Sequence, residues 1–159
     1  MAIRTESVIE RWRSLWEQRG RGWDLDQPEG RIEEESPPWD YEELVRHELG
    51  FAGSALDLGT GRGEFLSSLE DDLPVEMHAT VRCAVDVPLA REALAPLGVE
   101  IREHDALSGD PLPFPDACVD VVLSRHEPFM AVEVARVLRP GGWLVAQQLE
   151  EHHLGDRTE

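Results

Sequence analysis

Apolar residues follow two alternating patterns along this chain, one with helical spacing and one of short continuous runs. Helical spacing occurs over residues 5–19, where Val8, Trp12 and Leu15 share one stripe. Segments of the two kinds alternate, which is typical of an α/β protein with a parallel sheet. The predicted helices are 5–19, 40–49, 64–69, 88–97 and 131–138, and the predicted strands are 54–58, 75–81, 99–103, 119–123 and 143–148.

The same pattern divides the chain into segments. Residues 1–50 form an N-terminal helical segment, in which the stretch 20–38, rich in Gly, Pro and Glu, predicts an exposed and mobile linker. Residues 51–149 contain every predicted strand and indicate one α/β domain, and residues 150–159 are a polar tail. The strand at 119–123 is almost wholly apolar, which predicts that helices cover both of its faces.

The composition of the chain argues against several classes of function. The 159 residues have a formal net charge of −18, which disfavours nucleic acid as a partner because affinity for phosphates rests largely on basic side chains. No run approaches about 18 apolar residues and no signal peptide opens the chain, so we expect no membrane span and a cytoplasmic protein. Cys83 and Cys118 lack metal or redox spacing and are expected to be reduced core residues.

Three glycines stand at every second position directly after the strand 54–58. Their spacing is neither that of the dinucleotide-binding fingerprint nor that of the P-loop. A glycine can adopt positive φ and lets a ligand approach the backbone closely. The pattern therefore predicts a strand-to-helix turn that binds a nucleotide.

This segment, Asp-Leu-Gly-Thr-Gly-Arg-Gly at 57–63, resembles the first motif of the class I S-adenosylmethionine-dependent methyltransferases. The resemblance implies S-adenosylmethionine as the cofactor. It also implies a doubly wound, mostly parallel Rossmann-like sheet in the order 3-2-1-4-5. The residues that it assigns to the amino-acid half of the cofactor are Asp57, Gly59, Thr60, Gly61 and Gly63.

Three later segments extend the resemblance over about residues 37 to 149. His104-Asp105-Ala106 is similar to a Gly-Asp-Ala segment of the family, which assigns Asp105 and Ala106 to the cofactor site, with Asp105 accepting a hydrogen bond from the adenine amino group. Residues 113–122 are similar to the family's segment before strand four. Residues 133–142 resemble its Glu-x-x-Arg-Val-Leu-Lys-Pro-Gly-Gly turn, which we interpret as the end of a helix and the start of a strand.

Members of the family usually end strand two with an acid that binds both ribose hydroxyls, and here two registers compete. If the strand ends at Val81, a valine occupies that position. If it ends at Val85, Asp86 is the ribose-binding acid. The alternative role of Asp86 is a helix N-cap with Pro88 in the first turn. The length of the strand at 75–81 favours the first register slightly.

Polar residues also follow strand four, where a parallel sheet of this kind places its ligands. His126 and Glu127 are the candidate catalytic residues, as a general base with an orienting carboxylate. Their alternative role is a pocket wall or a loop hydrogen bond. His152 and His153 lack ligand-like spacing, and no metal site is expected.

Only some ten residues follow the fifth strand, so we expect the family's C-terminal hairpin of strands six and seven to be missing. That would leave 143–148 as an edge strand, which predicts a homodimer through this edge. We also expect residues 5–45 to act as a lid, with Trp39 and Tyr41 nearest the ligand, or else the first helix to cover a sheet face.

Two functions of different class remain open. The first is methyl transfer from S-adenosylmethionine to a small-molecule acceptor, which the turn at 57–63 favours. The second is a non-catalytic cofactor-binding or partner module, which a valine at the ribose position favours. A fainter resemblance to ribosomal RNA guanine methyltransferases conflicts with the acidic charge.

Overall fold

The computed structural model of the chain describes residues 38–148. From Trp39 onward these residues belong to one compact unit. The predicted helix 5–19, nearly all of the linker 20–38 and the tail 150–159 lie outside the described residues, as does most of the proposed lid.

Helices and strands alternate along this part of the chain. The helices are α1 (Tyr41–Leu49), α2 (Glu64–Ser68), α3 (Val87–Leu94) and α4 (Ala131–Val137), and the strands are β1 (Ser54–Leu58), β2 (Glu76–Val81), β3 (Glu100–Glu103), β4 (Val119–Arg125) and β5 (Leu138–Gln147). Single 3₁₀ turns follow α2 and α3. None of the helices in the described part of the chain is long and apolar enough to cross a membrane.

The five strands form one parallel sheet in the order β3-β2-β1-β4-β5, which confirms the predicted fold class. β1 is central and pairs with β2 on one side and β4 on the other. The chain therefore winds outward in both directions from β1. At such a switch point the loops at the carboxyl ends of the strands separate and leave a crevice for a ligand.

α1 begins and ends at the residues that the sequence predicts. The Asp40 carboxylate caps its first turn, because Oδ1 accepts hydrogen bonds from the N–H groups of Glu42 and Glu43 at 2.9 and 3.1 Å. Gly50 ends the helix. Val45 and Leu49 are buried and attach α1 to the sheet.

Two hydrophobic clusters cover the two faces of the sheet. Alternate residues of β1 divide between them, so that Ala55 belongs to the cluster containing α1, α2 and α3, and Leu56 to the cluster containing α4. β4 divides in the same way, with Val121 in the first cluster and Val122 in the second. Both faces of the central strands are thus covered, as the apolar run at 119–123 predicts.

Arg136 on α4 holds the loop before β4. Its guanidinium donates to the carbonyl oxygens of Phe114 and Leu112 at 2.8 and 2.9 Å, and it forms ion pairs with Glu133 and Asp116. Two of the family segments recognised in the sequence meet here. Their role in this contact is structural, as the interpretation of residues 133–142 requires.

The prediction that the fifth strand begins at 143 is wrong. α4 ends at Val137, and β5 begins at once with Leu138, which pairs with Val119. A register shift on β4 between Val119 and Val121 accommodates the Pro-Gly-Gly segment within the strand. At Gly142 a β-carbon would lie 2.7 Å from the carbonyl oxygen of Asp120, so only glycine fits this irregularity.

The prediction that Cys83 packs in the core is also wrong. β2 ends at Val81, so Cys83 falls in the turn that follows and is exposed. Cys118 is half-buried and packs beside the cluster that contains α4.

Candidate functional site

The glycine turn connects β1 to α2 at the carboxyl end of the sheet. Gly61 has φ +63°, in the left-handed region that favours glycine. Within residues 38–148, no heavy atom lies within 4 Å of the position that a β-carbon would take there. The backbone at Gly61 therefore faces open space that a ligand can enter.

Thr80 on β2 holds the first half of this turn. Its hydroxyl oxygen accepts a hydrogen bond from the Gly59 N–H at 3.0 Å, and its carbonyl oxygen accepts one from the Thr60 N–H at 2.9 Å. Thr80 was not among the site residues predicted from the sequence. Asp57 pairs with Ala79 in the parallel register, so the residue after Ala79 lies beside the turn.

Gly63 permits close packing between helices. A β-carbon at this position would lie 2.6 Å from the Leu94 Cγ, and Gly63 precedes α2 with φ +91°. Glycine at position 63 therefore lets α2 lie closer to α3 than a residue with a side chain would allow. The cofactor contact assigned to Gly63 from the sequence stays a prediction.

Asp57 carries a buried carboxyl at the end of β1. It is only 4% exposed, and burial raises its pKa to about 7. The nearby polar side chain of Thr60 opposes this rise in pKa, while the charge of Glu127 adds to it. The carboxyl would become easier to ionise if a cation bound nearby.

Glu127 projects from the loop after β4 onto the glycine turn. A β-carbon on Gly59 would lie 2.5 Å from the Glu127 Cγ, so this side chain packs directly against the glycine backbone. Its Oε1 lies 3.8 Å from Nη1 of Arg82, the residue after β2. Burial raises the pKa of Glu127, Arg82 lowers it, and Asp105 raises it.

His126 determines how Glu127 enters the site. Its φ of +61° is rare for a residue with a side chain, and its N–H donates to the Gln147 carbonyl oxygen at 2.8 Å. The Ser124 hydroxyl donates to the carbonyl oxygen of Glu127 at 2.9 Å. These bonds close a tight turn that directs Glu127 toward the glycine turn.

Asp105 and Ala106, the two residues predicted to contact adenine, have different surroundings in the structure. The Ala106 side chain faces the pocket, whereas Asp105 is exposed and its Oδ1 accepts a hydrogen bond from the Leu107 N–H at 2.9 Å. The pocket is shallow and opens to solvent, and its roughly 310 Å³ of free space includes part of that open solvent. It is lined by Leu58, Thr80, His104, Ala106, Leu112, Glu127, Pro128, Phe129, Met130 and Glu133.

The end of β2 supplies no carboxylate to this edge. β2 ends at Val81, as in the first of the two predicted registers, and Val81 is 1% exposed. Asp86 lies just before α3, and its Oδ1 is 3.4 Å from Nε of Arg62 in the glycine turn. Three basic side chains at this edge were not predicted as site residues from the sequence. Arg62 and Arg82 lie in turns, and Arg125 ends β4.

These residues fit S-adenosylmethionine. The cofactor carries a sulfonium and an ammonium group, and the site offers two largely buried carboxyls, Asp57 and Glu127, whose pKa values are raised. Open space beside Gly61 leaves the backbone accessible. Across residues 38–148 no group of three or more His, Cys, Asp or Glu residues is arranged to hold a metal ion.

Comparison with known proteins identifies the family. The model of a methyltransferase domain matches residues 56–146, which is more than half of the chain. No curated protein matches the sequence.

Solved structures agree with this match. The chain is similar to an S-adenosylmethionine-dependent methyltransferase from Aquifex aeolicus, with 27% identity and a TM-score of 0.53 over 65% of this chain and 61% of that one. The [4+2]-cyclase SpnF gives 26% identity and a TM-score of 0.53, over 65% and 42%. A Mesorhizobium loti S-adenosylmethionine-dependent methyltransferase, at 23% identity, TM-score 0.53 and coverage of 67% and 53%, shares the fold.

The chain spans less than two thirds of the length of each of these three structures. The matched residues nevertheless include the glycine turn, the pocket and every strand from β1 to nearly the end of β5. This chain therefore belongs to the class I S-adenosylmethionine-dependent methyltransferases, and its cofactor is S-adenosylmethionine.

Proposed function

We propose that this protein transfers a methyl group from S-adenosylmethionine to a small-molecule acceptor. The observation that carries the proposal is the open glycine turn at Gly61 beside the pocket that contains Glu127. The net charge of −18 favours a small acceptor over RNA, because a phosphate backbone would be repelled by this surface.

The residues assigned to the cofactor act by stabilising its positively charged groups in a site that is largely shielded from water. The bound cofactor supplies a methyl group on an electrophilic sulfonium. Asp57 and Glu127 stabilise a cation in the cleft, since both lie largely out of water, where charge interactions are stronger. Gly59, Thr60, Gly61 and Gly63 place the backbone against the amino-acid half.

The adenosine half belongs to the other side of the crevice. There Ala106 and the apolar side chains of Leu112 and Phe129 line the pocket. The Asp105 carboxylate uses Oδ1 for its own loop, so Oδ2 is the oxygen that accepts from the adenine amino group. Apolar walls with few polar groups suit a planar base.

His126 and Glu127 serve the acceptor. We assign His126 as the base that takes up the acceptor's proton on a ring nitrogen, and Glu127 as the carboxylate that orients it. Alignment of the nucleophile with the methyl group supplies much of the rate, so the base contributes a smaller factor. The φ of +61° at His126 fixes the loop from which both residues act.

Formation of S-adenosylhomocysteine tests this function. The protein is incubated with S-adenosylmethionine and a panel of small nucleophiles, or with RNA, and the product is measured by chromatography. We expect acceptor-dependent product with a small nucleophile and none with RNA. Asparagine tolerates positive φ, so His126→Asn removes the base without straining the loop, and we expect about 10²-fold slower transfer with unchanged cofactor affinity.

A second candidate function is a cofactor-binding module that transfers nothing. Val81 at the end of β2 favours it, because no carboxylate from this strand is available to the ribose. S-adenosylhomocysteine binding without product for any acceptor would support this function. Product formation by wild type that falls in His126→Asn would contradict it.

A further inference from the structure

Arg125 ends β4 with an exposed guanidinium at the carboxyl edge of the sheet. No carboxylate of residues 38–148 lies within 4 Å of it, whereas most other arginines of this region have an ion pair. Its cation remains available to an anion from outside the described chain.

Two aromatic rings support this guanidinium. The Arg125 Cζ lies 5.6 Å from the centroid of Phe65 and 5.9 Å from that of Tyr41. The two rings are 5.6 Å apart, and the Tyr41 hydroxyl donates to the Val145 carbonyl oxygen at 3.3 Å. Both rings are thus held by the fold, and their faces fix the guanidinium without using its hydrogen-bond donors.

The position of Arg125 is next to the cofactor turn. Phe65 is the second residue of α2, directly after Gly63 and Glu64. Asp57 pairs with Leu123 in the parallel register, so side-chain alternation places Arg125 on the same face as Asp57, two residues further along. Asp57 and Arg125 also act in opposite directions on the pKa of Tyr41, which burial raises.

An acidic and a basic side chain therefore share one face beside the glycine turn, on neighbouring strands and offset by two residues, or roughly 7 Å, along the strand direction. No ion pair joins them within the described residues. An amino-acid zwitterion has the complementary arrangement of charges. S-adenosylmethionine carries such a zwitterion at one end and an uncharged adenosine at the other.

We propose that Arg125, seated on Tyr41 and Phe65, binds the α-carboxylate of the cofactor's amino-acid half. This inference rests on the cofactor assignment. Arginine suits the task, because its planar fork can donate two parallel hydrogen bonds to one carboxylate. Arg125 is a binding residue and takes no part in methyl transfer.

Two ligands that differ in the amino-acid half test the assignment. S-adenosylhomocysteine carries the carboxylate, whereas 5′-methylthioadenosine lacks the whole amino-acid group. Both are titrated calorimetrically into wild type and Arg125→Met, a variant that keeps much of the apolar stem. We expect S-adenosylhomocysteine to bind about 10- to 100-fold more weakly to the variant. The affinity for 5′-methylthioadenosine should stay within about twofold.

Arg91→Met is the matched control. Arg91 is exposed on α3 and likewise has no ion pair with a described residue, so its loss removes the same charge from the protein. We expect it to leave both affinities unchanged. The proposal would be overturned if Arg125→Met weakened both ligands equally, which indicates a structural role, or weakened neither. Failure of wild type to bind S-adenosylhomocysteine would instead overturn the cofactor assignment.

Discussion

The Glu127 side chain lies directly over Gly59, with its Cγ 2.5 Å from the place that a β-carbon at Gly59 would occupy. Glu127, the second residue after β4, and Gly59, the first residue after β1, are therefore matched to each other. Gly59 also has φ +70°, so two separate demands select glycine at this position. The two demands can be separated by experiment.

Gly59→Ala should lower both the free energy of unfolding and the affinity for S-adenosylhomocysteine. Positive φ alone costs about 1–2 kcal/mol for alanine, and the contact with Glu127 adds a further loss. Gly98→Ala is the control, because Gly98 has φ +71° with open space around it. Urea unfolding should show a greater loss of unfolding free energy for Gly59→Ala than for Gly98→Ala. Adding Glu127→Ala to Gly59→Ala should remove this extra loss. Equal losses in the two single variants would show that the contact has no energetic effect.

Gly61→Val should abolish binding of S-adenosylhomocysteine and leave helical content nearly unchanged. The valine side chain would enter the open space beside the turn, where we expect the cofactor. Gly109→Val is the matched control, since Gly109 has φ +80° and equally open surroundings in the loop after β3. Calorimetry gives the affinities, and circular dichroism gives the helical content. Wild-type affinity in Gly61→Val would remove the turn from the cofactor site.

Nearly all element positions could be predicted from the sequence, because they depend on local patterns, whereas the sheet order followed from the resemblance to the methyltransferase family. β1 coincides with the apolar run 54–58, and Asp40 and Gly50 cap the two ends of α1 as predicted. The start of β5 could not be predicted in this way. Pro-Gly-Gly ordinarily ends an element, and only pairing with β4 through a register shift keeps residues 138–147 in one strand.

The site was predicted in part for the same reason. The glycine spacing identifies the turn, since a turn is a local feature. The contacts of Glu127 with Gly59 and of Arg82 with Glu127 join residues from three different strands and loops. Their sequence separation carries no periodic signal, so only the parallel register brings them together.

Asp57 should make stability depend on pH. Its pKa is about 7 in the folded protein and 3.8 without the fold, so the folded state binds the proton more tightly. The free energy of unfolding should therefore fall as pH rises from about 4 to about 7, by up to roughly 4 kcal/mol. Asp57→Asn should lack this slope, so that its stability relative to wild type increases over the same range.

Urea unfolding at pH values between 4 and 8 measures the free energy of unfolding of wild type and of Asp57→Asn. Cofactor binding gives a second test of the same carboxyl. A bound cation favours ionised Asp57, so binding of S-adenosylhomocysteine near pH 6 should release protons, which calorimetry in buffers of different ionisation enthalpy detects. Parallel pH curves for wild type and Asp57→Asn would contradict the raised pKa.

β5 lies at one edge of the sheet within residues 38–148. Gln147 accepts a hydrogen bond from the His126 N–H, so the alternation of a parallel ladder directs the main-chain groups of Leu144 and Ala146 away from β4. Trp143 is 62% exposed on the same strand. Exposed edge groups of this kind can pair with a second chain.

We therefore expect a homodimer through β5, and Ala146→Pro should dissociate it. Proline removes the outward N–H while leaving the ladder with β4 intact, and edge strands tolerate it for that reason. Light scattering over a range of concentrations should give a dimer for wild type and for Ala146→Ser, which keeps the N–H, but a monomer for Ala146→Pro. S-adenosylhomocysteine affinity serves as the check that the proline variant is folded, because β5 lies at the far side of β4 from the glycine turn. A wild-type protein that stays monomeric at every concentration would show that this edge pairs with no second copy.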